Sequence, residues 1–400
     1  MFLPQDLSTP CGRPLSEVPE AKNPNGVSVS TTPPLRRQLQ RRLFPLYKRL
    51  ERHVHPLRYL FIEITQRCNL SCLHCGSDCG PSAAEAELTT EEWLSFFGAL
   101  AARMDPSKFL LVLTGGEPFV RPEFDRIMEG LAANHLTWGM VSNGYAVTRS
   151  NMAKAMGCGL SSMTISLDGL GASHNWLRGR PDAFRRACRG IEQALAADLP
   201  FFDVVTCVHP GNLDELPAVF ELLKRMGVRA WRLFAIFPKG RAKDDARLLL
   251  DAAGYRALMG FVAAARKQVE GSDFSVQFSC EGYFPAALDA SIRDDPYFCR
   301  AGISIGSVLC DGSIMACPNI SRSLAQGNIR RDDFATVWET EFGPFRDRGW
   351  MRTGECVDCV EWAKCQGGSM HLWDDGEQRT CLCTFKAVGG AQNDKSRALG

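Results

Sequence analysis

The 400-residue sequence predicts an α/β fold, a partial (β/α)6 TIM-like barrel followed by a small, loop-rich C-terminal domain organised by metal. Three observations predict it. Between about residues 57 and 270, short apolar runs alternate with longer helix-like stretches. After about residue 271 the pattern changes to short segments, turn residues and closely spaced cysteines. The chain is also too long for one average compact domain.

Residues 1–34 are rich in Pro, Ser, Thr and Asn without a sustained apolar period, and read as a flexible N-terminal extension. Residues 35–56 set Leu35, Leu39, Leu43 and Leu50 at helical spacing among Arg36, Arg37, Arg41, Arg42, Lys48, Arg49 and Arg52. That spacing predicts a basic amphipathic helix, with a break at Pro45. Such a helix either packs on the main body with a solvated face or offers a docking surface to an acidic peptide or protein.

Within residues 57–270 the strand candidates are YLFIEIT, FLLVLTG, WGMVSN, SMTISLD, FDVVTCV and AWRLFAI. Between them lie patterns such as TEEWLSFFGALAARM, EFDRIMEGLAA, FRRACRGIEQALAA and ELPAVFELLKRMG, with Thr90 placed as an N-cap. A repeated βα order with apolar strands implies a parallel sheet covered by helices. Six units fit a partial barrel better than a closed eight-fold one. Residues 271–400 read as a module in which metal staples supplement a small core.

Apolar residues make up 45% and charged residues 23%, ordinary values for a folded globular chain. The 46 basic residues balance 45 acidic ones, so bulk attraction to nucleic acid or anionic lipid is excluded. The start, MFLPQDLSTPCGRPLSEVP, lacks a charged lead and apolar run, and no stretch shows the roughly 18–20 apolar residues of a membrane helix. A cytoplasmic location without membrane contact is expected. Seventeen cysteines in such a chain point to metal ligation or redox chemistry. Cys158, Cys188 and Cys207 lie singly in apolar or helical patterns and read as buried thiols.

The segment after the first strand, FIEITQRCNLSCLHCGSDCG, sets Cys68, Cys72 and Cys75 in a C-x3-C-x2-C spacing. Three thiolates can hold three irons of a [4Fe–4S] cube and leave the fourth iron open for chemistry. This spacing in this place resembles the radical S-adenosylmethionine (SAM) superfamily. The resemblance implies that Cys68, Cys72 and Cys75 ligate a [4Fe–4S] cluster whose open iron chelates SAM. One electron from the cluster then splits SAM to a 5′-deoxyadenosyl radical, which abstracts hydrogen from a substrate. Cys79, four residues on, reads as a free thiol or a group near the substrate.

The second strand ends in Gly115-Gly116-Glu117-Pro118, similar to the GGEP motif of the same family, which would put Glu117 on the methionyl ammonium of SAM. Ser142-Asn143 and Ser166-Leu167-Asp168 close the third and fourth strands, where small polar and acidic groups suit ribose hydroxyls and the SAM carboxylate. His174–Gly179 resembles an HD-x-x-RG run with Asn175 in place of Asp, and makes Arg178 a candidate for the SAM carboxylate. Asn212 and Arg241 are weaker cofactor candidates, and for these two and Arg178 a structural role is an equal reading. No catalytic acid or base is singled out.

Cys299, Gly312-x4-Cys317, Cys356-x2-Cys359-x5-Cys365 and the pair Cys381 and Cys383 resemble the SPASM extension, which implies one or two auxiliary iron–sulfur clusters. Ser369 stands where the pattern has a cysteine, so the cluster near Cys299 and Cys317 has an open iron, an unusual ligand such as Cys310, fewer irons, or is absent. Cys280 is a further possible ligand. Structural zinc is the competing reading of these cysteines. SPASM relatives most often modify peptides by oxidation, cross-linking or epimerisation. Oxidation in small-molecule, tetrapyrrole-like biosynthesis is the alternative, and a noncatalytic cluster- or zinc-binding module is the alternative of another class. Pro318 after Cys317 departs from the sulfatase-maturing branch, which has Asp there. No flavin or nicotinamide fingerprint is present, so an external one-electron donor such as flavodoxin or ferredoxin is expected.

Overall fold

The computed structural model describes residues 34–83, 85–279 and 282–390. The expectation of a flexible extension falls, apart from Pro34, outside the described residues, as does Cys280. The chain enters through one continuous helix, α1 (Pro34–Val54), which runs through Pro45 without breaking.

Seven parallel strands then follow in chain order: β1 (Tyr59–Thr65), β2 (Leu110–Gly115), β3 (Trp138–Ser142), β4 (Leu160–Ser166), β5 (Phe201–Val208), β6 (Ala230–Ala235) and β7 (Ser275–Phe278). Helices α2 (Thr90–Arg103), α3 (Phe124–Ala133), α4 (Arg149–Gly157), α5 (Gly171–Arg178), α6 (Ala183–Ala196), α7 (Leu216–Met226) and α8 (Ala252–Gln268) lie between them. The α2 cap differs from expectation. Its N-cap is Thr89, whose hydroxyl accepts from Glu92 N–H while the Glu92 carboxylate accepts from Thr89 N–H; Thr90 is already helical.

The sheet extends beyond six strands at both edges. SVQF adds β7 beside β6, and β8 (Ile305–Val308) pairs parallel with β1. Antiparallel β9 (Ser313–Met315) and β10 (Gly327–Asn328) follow, giving the order β10-β9-β8-β1-β2-β3-β4-β5-β6-β7. The sheet is therefore open, and it runs through the composition change near residue 271.

Strand alternation divides the two faces. Leu60, Ile62, Ile64, Leu111, Leu113, Trp138, Met140, Met163, Ile165 and Trp231 pack with Trp93, Phe97, Ile127, Leu131 and Ile191 of the helices. The opposite face carries polar groups: Glu63, Thr164, and a buried ion pair between Asp203 and Arg232, with Thr164 Oγ1 donating to Asp203 at 2.6 Å. A closed eight-stranded barrel fills this interior with branched apolar side chains; here Tyr59, Phe61 and Val112 share the face with these polar groups.

Among the described residues, one helical stretch, Ala246–Gln268, is long and apolar enough by composition to cross a membrane, which the sequence reading did not single out. Its Tyr255, Leu258, Met259 and Val262 lie in the core cluster of this domain. Cys158 is also in the core but is disulfide-bonded, so the buried-thiol reading fails there, whereas Cys188 and Cys207 form no disulfide and are half-buried.

Candidate functional site

The strand ends gather the motif residues at one edge of the sheet. The loop after β1 folds back on itself: Cys68 N–H donates to Gly80 O at 2.6 Å and Gly80 N–H to Gln66 O at 3.2 Å. The end of β2 is clamped against it, with Gly116 N–H on Thr65 O at 2.8 Å and Glu117 N–H on Arg67 O at 3.0 Å. An added Cβ would lie 2.1 Å from Thr65 O at Gly115 and 2.1 Å from Arg67 O at Gly116. The two glycines thus let the GGEP turn seat directly against the cysteine-bearing backbone.

Arg241 closes the loop from the far side. Its Nε donates to Cys72 O at 2.7 Å, its Nη1 to Cys79 O at 2.9 Å, and its backbone N–H to Cys75 O at 3.1 Å. Gly240, with φ +53°, allows this approach, since a Cβ there would meet Cys75 O at 2.2 Å. Arg241 is therefore a loop staple, a role its spacing in the sequence did not suggest.

The three cysteines share one surrounding. Burial pushes the Cys68 thiol up to about 12, and Cys72 and Cys75 add to the push. Asn143 Nδ2 reaches Cys68 Sγ at 3.7 Å and Arg178 Nη1 reaches Cys72 Sγ at 3.7 Å. Cys79 is buried against Cys75, whose Sγ accepts from Cys79 N–H at 3.3 Å, and their contact lowers Cys75 to about 6. His74, inside the triplet, is held neutral by burial with its pKa down to about 3, and its buried Nδ1 lacks a hydrogen-bond partner.

Glu117 is fully buried, and its donors are all neutral: Ser142 Oγ at 3.0 Å, Asn143 N–H at 2.8 Å and Phe119 N–H at 3.5 Å. Burial raises its pKa to about 7. A buried carboxyl with neutral donors alone can accept an arriving cation, such as the ammonium of an amino acid moiety. Asp168 is equally buried but already paired. Against the upward push of burial, Arg178 holds it at about 2, with Nη2 2.5 Å from Oδ2. Cys207 N–H also donates to Asp168 at 2.9 Å, and Asn212 Nδ2 ties the β4 and β5 ends by donating to Asp168 O and Cys207 O. Ser166 is buried at the β4 end beside this network.

The C-terminal cysteines form two groups. Cys356, Cys359, Cys365 and Cys383 line one cavity walled by Tyr283, Trp362 and Phe385. Cys381 lies outside it: its residue is exposed and its N–H donates to Leu372 O at 2.8 Å. Cys299 and Cys317 are the second group. Burial pushes Cys317 up to about 12, and Cys299 adds to this. Cys299 itself, though burial pushes upward, is held below its ordinary pKa by Arg348. Ser369 is fully buried nearby, its Oγ accepting from Gly282 N–H at 3.2 Å and lying 3.0 Å from Tyr297 Oη. Cys310 is not part of this group; its buried thiol sits with Glu63 and Arg322 beside β1, so it does not supply the missing ligand.

Thiolates sharing one zinc, each about 2.3 Å from it, lie within about 4 Å of one another. Among the described residues only His74, Asp168 and Cys207 bring three ligand atoms within 4.8 Å, and there the carboxylate is engaged by Arg178.

Comparison with known proteins agrees with this geometry. Residues 62–223 match the radical SAM superfamily, and residues 299–360 match an iron–sulfur cluster-binding domain, SPASM. The chain is 28% identical to an AdoMet-dependent heme synthase of Methanosarcina barkeri, over 78% of this chain and 90% of that one. It is 30% identical to a mycofactocin maturase of Mycolicibacterium smegmatis, over 81% of each chain. Its fold is similar to that of Streptococcus suis SuiB bound to the precursor peptide SuiA, with a TM-score of 0.64, 16% identity, and coverage of 91% of this chain and 83% of that one.

Proposed function

The chain belongs to the radical SAM superfamily and carries a SPASM region, and from that premise we propose that its substrate is a ribosomally made peptide or protein, modified by oxidation, cross-linking or epimerisation. It is a radical SAM enzyme, with a SAM-binding [4Fe–4S] cluster, SAM and auxiliary iron–sulfur clusters as its cofactors. When bound, these supply a 5′-deoxyadenosyl radical that abstracts hydrogen from the substrate. The observation that carries the site assignment is Glu117, a buried carboxyl with only neutral donors beside a loop of three cysteines.

In this reading Cys68, Cys72 and Cys75 hold the cluster, and Arg241 and the glycine turn hold their loop. Glu117 receives the ammonium of SAM, while Ser142, Asn143 and Ser166 line the edge where its polar groups lie. Asp168 orients Arg178 toward Cys72, where a cationic donor to a ligating sulfur tunes the cluster. Cys356, Cys359, Cys365 and Cys383 hold one auxiliary cluster. Cys299 and Cys317, with Ser369, hold another that is incomplete in thiolates. A reduced flavodoxin or ferredoxin delivers the electron, and the protein works in the cytoplasm.

The peptide reading draws on the mycofactocin maturase at 30% identity. A second reading, oxidation of a tetrapyrrole-like small molecule, draws on the heme synthase that aligns over 90% of its own length. The deciding experiment is anaerobic reconstitution with dithionite and SAM, scoring deoxyadenosine and substrate mass change with candidate precursor peptides and with iron-coproporphyrin in parallel. Product from peptide alone supports the first reading, and product from porphyrin alone replaces it. An iron-loaded protein that leaves SAM intact with either would demote both to a binding module.

A further inference from the structure

Six of the nine exposed large apolar side chains among the described residues lie on α1: Leu39, Leu43, Leu46, Tyr47, Leu50 and Val54. The four leucines are between 53% (Leu43) and 65% (Leu46) exposed, far above a core helix. They recur at spacings of four, three and four, the alternation of a heptad seam with Leu43 and Leu50 at a positions and Leu39 and Leu46 at d positions. In the same register Arg42 and Arg49 fall at g, and both are exposed.

The opposite face of the helix is the one that docks on the body. Phe44 is buried against the Phe298 ring, Arg41 pairs with Asp289 at 3.4 Å, Lys48 donates to Lys364 O at 3.0 Å, and Arg52 donates to Gln366. Glu51, the one acidic residue of α1, is buried on that inner face and accepts from Arg58 at 3.3 Å. The outer face therefore combines a leucine seam with positive flanks and no acid of its own.

We propose that the outer face of α1 is a docking seam for an acidic amphipathic helix of another peptide or protein. The seam from Leu39 to Val54 is about 22 Å long at 1.5 Å per residue, enough for three to four turns of a partner. Its leucines fill the partner's a and d positions, and glutamates or aspartates flanking them meet Arg42 and Arg49. The α1 seam of a second copy lacks those acids, because its Glu51 faces inward. The exposed apolar positions are the a and d leucines with Tyr47 and Val54 at e, and the alternating four- and three-residue leucine spacing is that of a helix-pairing seam rather than of a membrane-lying helix with Trp or Phe.

The binding measurement uses the full chain without SAM or reductant, so its outcome is separate from the catalytic reading. Two synthetic helical peptides carry leucine at a and d, one with glutamate and one with lysine at e and g. Fluorescence anisotropy is expected to show the glutamate peptide binding at least tenfold more tightly. Arg42→Glu/Arg49→Glu is expected to invert that order, and Leu43→Ser/Leu46→Ser/Leu50→Ser to abolish binding of both while circular dichroism and SAM cleavage are retained. Equal affinity for the two peptides, or no binding, would overturn the proposal. So would leucine-dependent binding to phosphatidylglycerol vesicles without peptide preference, or a leucine-dependent dimer in light scattering.

Discussion

Arg178 and Asp168 form a buried ion pair at the end of β4, and the same guanidinium reaches the Sγ of Cys72. The pair links the β4 end, the edge proposed for SAM, to the cysteine loop. Arg178→Met would leave Asp168 as an uncompensated buried charge, at a cost of about 3–5 kcal/mol. Asp168→Asn/Arg178→Met, which removes both charges, should recover most of that loss in thermal unfolding. Both variants should shift the reduction potential of the cluster measured by low-temperature EPR, because both remove the donor on Cys72.

Glu117 should trade stability for binding. Its folded pKa of about 7 lies above the ordinary carboxyl value of 4.5. The stability linked to it is therefore present below pH 4.5 and falls as pH rises to about 7, by roughly 3 kcal/mol over that window. SAM-free protein should lose this increment between pH 4.5 and 7, and Glu117→Gln should not. At pH 8 the variant should be the more heat-stable of the two without SAM, yet cleave SAM at least 100-fold more slowly. A variant with unchanged SAM cleavage would remove Glu117 from the ammonium site.

The residues legible in the sequence are those whose chemistry is written in a short window. Cys68, Cys72 and Cys75, the Gly115–Glu117 turn, and the polar strand ends at Ser142 and Asp168 stand out as candidates because each motif sits on a strand that its own apolar run announces. The loop-staple role of Arg241 is not legible in the sequence, because its partner Cys72 is 169 positions away and no local pattern records the contact. The same holds for Arg348 beside Cys299, and for Cys310, which long-range packing delivers to Glu63 rather than to Cys299 and Cys317. Strand β7 escaped notice because four residues are too few to show alternation, and its place is fixed by pairing with β6.

The glycine turn predicts a sharp steric result. Gly116→Ala places a methyl 2.1 Å from Arg67 O, so the turn and the loop after β1 must part. The site is a strand end, so the sheet should survive with a normal far-ultraviolet spectrum. Iron bound at the triplet, counted in a background lacking the auxiliary cysteines, should fall severalfold. Gly240→Ala, which meets Cys75 O from the other side at 2.2 Å, should do the same. Full iron loading in both would show that the loop tolerates either displacement.

The auxiliary site separates two cysteines that the sequence leaves equivalent. Cys383 shares a cavity with Cys356, Cys359 and Cys365, whereas the exposed Cys381 does not line it. Cys383→Ser should therefore lower the iron content and alter the visible absorption of reconstituted protein, and Cys381→Ser should leave both near wild type. Ser369→Cys adds a thiol where Ser369 Oγ meets Tyr297 Oη, next to Cys299. If the Cys299–Cys317 group holds a cluster short of one thiolate, this substitution should raise its stability to chelators without adding more than one cluster's worth of iron. No change in iron or spectrum would mean that Ser369 lies outside the reach of that cluster, and that the group is closed by other ligands.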